Sequence, residues 1–136
     1  RARKPIEDWI AANLAGDEAP PAQTPLIASD LAALGAETPP VGPSFSMPAQ
    51  ADPVGLQWAL AGSSLGNRAM LAQRRKAGLD GPDKFLSDAA MPVFFKDLRP
   101  RLEAEADAAS AQRAVLAAHA VFACFLHALE PLEHAA

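Results

Sequence analysis

The 136-residue chain has no tyrosine, one cysteine, and aromatic residues at only 6% of its positions. Strands favour aromatic and β-branched side chains, so this shortage argues against a β-sandwich or barrel. The lone Cys124 leaves no partner for an intrachain disulfide and no basis for a thiolate metal cluster. With no signal-peptide pattern in the opening residues, it leads to the expectation of a reducing, cytoplasmic setting. No uninterrupted apolar run approaches the roughly 20 residues of a membrane-spanning helix, so no membrane is expected as a partner. A basic excess is missing too. The net charge is −4, with three basic and seven acidic residues in 1–52 and nine of each in 53–136. Nucleic-acid binders concentrate positive charge on one surface, so no nucleic acid is expected either.

What the chain has is alanine. There are 32 alanines, and half of all residues are hydrophobic. That composition favours packed helices, and the fold class expected is all-α, one domain over 1–136. Thirteen prolines punctuate the helices, because the apolar fraction is too high for a solvated chain. Pro5, the spacing of Ile6, Trp9, Ile10 and Leu14, and the stop at Gly16 predict a helix over 5–15. Residues 17–23 read as a loop. Thr24-Pro25 reads as cap plus first-turn proline for a second helix ending at Gly35. Pro39, Pro40, Pro43 and Pro48 make 36–52 an irregular, Pro-rich connection.

Asp52-Pro53 opens a long helix expected from Val54 to Ala77, closed by Gly78, with Arg74, Arg75 and Lys76 in its last turn. Pro82 is expected to begin a short helical turn holding Phe85 and Leu86. Pro92 opens another helix, interrupted near Pro100 and continuing through Glu103. A last helix is expected from Asp107 or Ser110 to Glu130, where Pro131 breaks it. Its Val115, His119, Phe122, Leu126 and Leu129 form a heptad-like stripe expected to face the core.

The oddity is Gly62-Ser63-Ser64-Leu65-Gly66 within the long helix. Each interior glycine costs about 1 kcal/mol relative to alanine, in a chain that uses alanine everywhere else. Four apart, the two glycines share a face and leave a trough without Cβ atoms. Two uses fit that trough: a close helix–helix crossing, or the close approach of a flat ligand to the backbone. Gly next to Ser is also a known cause of kinks.

The segment Leu56-Gln-Trp-Ala-Leu-Ala-Gly-Ser-Ser-Leu-Gly-Asn-Arg-Ala-Met70 resembles the distal-helix motif of bacterial biliverdin-producing heme oxygenases. There an aliphatic-aromatic run leads into E-G-S-x-L-G-G and a basic residue. Leu26-Ile-Ala-Ser-Asp-Leu-Ala-Ala-Leu-Gly35 is similar to that family's D-L-x-x-L-G helix end. Ala117 to Leu129 is similar to its final A-x-x-x-F-x-x-F-x-x-x-L helix. The resemblance spans about residues 26–130. It implies an all-α fold with a kinked distal helix, and heme as both substrate and cofactor. Heme would be cleaved to biliverdin, CO and iron with electrons from a reductase or ferredoxin. By the same resemblance Gly62 and Gly66 line the distal face, Ser63 flanks it, Asn67 occupies the position of the second glycine of the G-G pair, and Phe122 touches the ring edge.

This chain departs from the motif at Ala61, where the family has Glu, and at Asn67. The family's axial histidine lies well upstream of the matched region, and no histidine precedes His119. No catalytic residue is therefore assigned. Because the chain begins at Arg1, the resemblance carries the expectation of a proximal helix further upstream. The alternative is a relative that kept the fold, lost heme, and serves as a regulatory module binding a protein partner. His119, His127 and His134, with Glu130 and Glu133, are of metal-ligand type but lack convergence from several elements, and no metal is expected. Arg68, Arg74, Arg75 and Lys76 suit either heme propionates or a solvated helix end. Cys124 reads as a small buried hydrophobe.

Overall fold

A computed structural model describes residues 1–104 and 107–135, with side chains described as far as residue 130. Among these residues the chain is all-helical. The α-helices are α1 (Arg3–Asn13), α2 (Thr24–Ala33), α3 (Val54–Ser63), α4 (Asn67–Lys76), α5 (Ala90–Glu103) and α6 (Ala108–Ala135). Single 3-10 turns lie at Gly16–Glu18 and Ser64–Gly66.

The core is built where α3 meets α6. Asp52 N–H donates to the Arg113 carbonyl at 2.9 Å, and further along Trp58 meets Phe122 edge to face, so the two helices run side by side in the same direction. Leu56, Ala59 and Leu60 of α3 bury against Ala117, Ala118 and Val121 of α6. Ile6 and Ile10 of α1 close the cluster. Met91 and Leu98 of α5 are also fully buried, and α5 lies along α3.

Helix ends follow local chemistry, although not always the residue expected. Gly35 and Gly78 adopt φ of +72° and +71° just past α2 and α4, the left-handed conformation that ends a helix cheaply only at glycine. α2 starts at Thr24, but the threonine hydroxyl does not cap it; its oxygen is buried without a partner. Glu7 of α1 takes that role. Its carboxylate accepts the Gln23 amide at 2.8 Å and the Thr24 amide at 3.1 Å. Asp88 caps α5 through the amides of Ala90 and Met91, and Asp107 caps α6 through the Ser110 amide at 2.7 Å.

The short turn expected after Pro82 is a single one at residues 84–87, with the Ser87 amide on the Asp83 carbonyl at 2.8 Å, pinned by the Asp30 carboxylate through the Lys84 and Phe85 amides. Several expectations need correction. Pro100 does not interrupt α5, nor does Pro131 end α6. A helical proline strands the carbonyl four residues earlier. Here those residues are Lys96 and His127, both exposed, where water can serve the freed oxygen.

The largest correction concerns α6. Val115, Phe122, Leu126 and Leu129 are 45–67% exposed, and His119 is exposed with them. The core face is instead the small one, Ala117, Ala118, Val121 and Ala128. The cause sits on α3. A Cβ built on Gly55 would lie 1.8 Å from the Ala114 carbonyl oxygen, so the helix backbones approach too closely for bulky side chains between them. By length and composition Ala108–Glu130 would also suffice to cross a membrane, with a window of mean hydropathy 1.4; α6 meets that criterion although its longest uninterrupted apolar run is shorter.

The connection at 36–52 is irregular, as its prolines predict. It is anchored by Phe45, which is buried and stands edge-on to Trp9 with ring centroids 5.9 Å apart.

Candidate functional site

The glycine segment breaks the expected long helix into α3, a 3-10 turn and α4. Ser63 and Ser64 provide the mechanism. Their hydroxyls donate back to the carbonyls of Leu60 and Ala61, at 2.6 and 2.7 Å. Such back-bonding competes with the α-helical ladder and bends helices. Ser64 has ψ of −16°, a 3-10 rather than α value. Asn67 then resumes the α-helix with its amide bonded to the Ser64 carbonyl.

Gly62 and Gly66 face open space. A Cβ on either would meet nothing within 4 Å. The small-residue crossing considered for them does occur in this fold, but at Gly55. The trough is therefore unused by the described residues.

The remaining residues proposed for this site do not all share that face. Trp58 lies one turn before Gly62 and meets Phe122 edge to face, centroids 6.4 Å apart at 88°; both residues are 45% exposed. Ser63 is exposed beside Arg3, whose Nη2 lies 3.4 Å from its hydroxyl. Asn67 lies on the core face with Leu60, Ser64 and Leu71, buried like them. Its side chain therefore does not obstruct the glycine trough.

Next to Trp58 opens a groove of about 660 Å³ between the start of α3, the end of α5 and the first half of α6. Val54, Trp58, Leu102 and Val115 give it an apolar lining, and Asp52 and Arg101 supply charge. That volume is within the range of small-molecule sites.

The other candidates are scattered. Arg74 donates to the Pro82 carbonyl at 3.3 Å and Arg75 pairs with Asp83 at 3.7 Å, while Arg68 and Lys76 are exposed. His127 meets Glu130 at 3.3 Å on the surface. His134 and Glu133 lie outside the residues whose side chains are described. Among the described residues, no three of His, Cys, Asp and Glu gather as a metal-binding group. Cys124 is half-buried, its Sγ 3.8 Å from the Ala2 carbonyl, and burial pushes its thiol pKa up.

Sequence reasoning missed Gly55, Glu7 and Arg3. A glycine in the first turn of a helix, facing an alanine-rich partner, is a signal for close crossing that was present at Gly55. Nothing local marks Glu7 or Arg3, whose hydrogen-bond partners lie 16–60 residues away. Compared with protein-family models, curated proteins and solved structures, the chain finds no match.

Proposed function

We propose that the open glycine face binds heme, and that the chain takes part in its oxidative cleavage to biliverdin, CO and iron. One observation carries this reading. Two glycines that cost helix stability are packed against nothing among the described residues, which argues against internal packing as their purpose. A backbone without Cβ atoms lets a flat macrocycle lie close against it. Heme would supply the redox chemistry, with electrons from a reductase or ferredoxin. The chain's part would be geometric: Gly62 and Gly66 over the ring, Trp58 and Phe122 at its edge, and the 3-10 turn holding the backbone bent. The segment from Val54 to Lys76 carries no histidine, so an axial ligand must come from another element. A cytoplasmic setting goes with this reading.

The test is a hemin titration followed by visible absorption. A saturable one-to-one Soret shift, abolished in Gly62→Leu while that variant keeps its helical circular dichroism, is the expected result. A flat titration of the folded protein refutes it.

A second reading has its own observation. Val115, Phe122, Leu126 and Leu129 expose an apolar stripe along α6, beside Trp58. Contiguous patches of this kind mark interaction surfaces, and a protein partner would cover the stripe without heme. A flat titration together with capture of a partner that Phe122→Ser abolishes would favour this reading.

A further inference from the structure

Arg3 stands at the junction of α1, α2, the 84–87 turn and the glycine break. Its Nη1 donates to Gln23 Oε1 at 2.7 Å, and Gln23, almost wholly buried, donates in turn to Asp88 Oδ2 at 3.2 Å. The guanidinium carbon lies 5.2 Å from the Phe85 ring centroid and 5.8 Å from that of Phe125. Within such distances a cation is held by the ring faces. The second nitrogen, Nη2, reaches Ser63 Oγ at 3.4 Å, a long hydrogen bond. Ser63 spends its single proton on the Leu60 carbonyl, so its oxygen is free to accept. The chain of donors therefore runs from Arg3 through Ser63 to Leu60, and each bond polarises the next.

We infer that Arg3 is the positioning residue of the glycine break. It fixes the Ser63 hydroxyl in the orientation that bonds back to Leu60, and thereby holds the backbone between Gly62 and Gly66 in its 3-10 form. The guanidinium is itself fixed on three sides by Gln23, Phe85 and Phe125, so it acts as a rigid strut and not as a mobile surface charge. Burial lowers its pKa and Glu7 opposes that shift. Its consequence for ligand binding rests on the heme reading; its hold on the turn does not.

Hydrogen exchange of the Ser64 and Asn67 amides tests this directly. Arg3→Met keeps the aliphatic stem and removes the donors, and Ser63→Ala removes the relay at an exposed position where folding is not at risk. Each should speed exchange at these amides by about fivefold or more, the scale of one lost hydrogen bond. The double variant should exchange no faster than the faster single one, and Arg3→Lys should restore part of the protection. Unchanged exchange in Ser63→Ala, or effects that multiply in the double variant, overturns the inference. In a parallel hemin titration, Arg3→Met should weaken binding several-fold. A flat wild-type titration overturns the heme reading, and the exchange result still decides the role of Arg3.

Discussion

Replacing Gly55 with alanine adds one methyl group at the closest point of the α3–α6 crossing. The new Cβ would sit 1.8 Å from the Ala114 carbonyl oxygen, 2.7 Å from its carbon and 3.1 Å from Ala117 Cβ. Carbon and oxygen atoms not bonded to each other approach to about 3.3 Å at closest, so the backbones must separate by more than 1 Å, roughly the shortfall implied by that limit. The obstacle is main chain, which no rotamer change can move aside. Overpacking of a well-filled core costs about 1–3 kcal/mol, and an immovable obstacle belongs at the upper end. Alanine's better helix propensity returns less than about 1 kcal/mol at this first-turn position. The net loss is about 2–3 kcal/mol. For a chain of this size it lowers Tm by roughly 8–12 °C. Thermal and urea unfolding followed by far-ultraviolet circular dichroism will measure it. Adding Ala114→Gly should not rescue the variant, because the obstructing atom is the carbonyl oxygen that glycine also carries. A Tm equal to or above that of the wild type would refute the close crossing and, with it, the account of why α6 turns its small face inward.

Gly62→Ala meets open space and should raise stability by up to about 1 kcal/mol; a loss would refute the openness of the trough. Glu7→Ala removes the carboxylate that caps α2 and should cost about 1–2 kcal/mol in urea unfolding, as lost caps do, whereas an unchanged midpoint would show that water serves those amides equally well. Cys124, with its thiol pKa raised by burial, should alkylate with iodoacetamide more slowly at neutral pH than a free cysteine, and equal rates would refute the burial. The Ser110 amide and hydroxyl hold the exposed Asp107 carboxyl below its ordinary value of 3.8. Its stabilisation is thus present above the unfolded pKa and is lost as pH falls through the folded one. A stability difference between wild type and Asp107→Asn should therefore be visible at neutral pH and vanish in acid.

The helical class and the proline-marked starts of α2 and α3 were legible because proline and glycine act locally. So was the irregular course of 36–52. The 3-10 break at Ser64–Gly66 falls on the adjacent Gly and Ser residues singled out in the sequence, although one long helix from Val54 to Ala77 was expected there. The inward face of α6 was not. Alanines 114, 117, 118, 120, 123 and 128 are distributed around the helix, and a periodicity argument ranks faces by bulk. At this crossing the deciding quantity is the distance between backbones, set by one glycine on another helix. Nor could the sequence assign Asn67, which lies one residue past Gly66 and so about a quarter-turn round the helix, on the core face and not in the trough. The shared face of Gly62 and Gly66 was an expectation for an unbroken α-helix; what the structure adds is that a Cβ on either would meet open space, which depends on elements distant in sequence.

The proline-rich strap between α2 and α3 touches the core mainly through Phe45, and residues 36–41 are exposed throughout. Between Ala36, whose amide still bonds the Leu31 carbonyl, and Gly42, whose amide bonds the Arg1 carbonyl at 3.2 Å, the exposed stretch does not transmit its length to the helices it joins. Loop closure grows only with the logarithm of chain length, so doubling such a segment costs about 0.6 kcal/mol. Foreign sequence inserted between Gly35 and Gly42 would ride on the surface without shifting the register of α2 or α3. This stretch is therefore the natural place to graft a fluorophore tag or an epitope, provided Phe45 keeps its seat against Trp9.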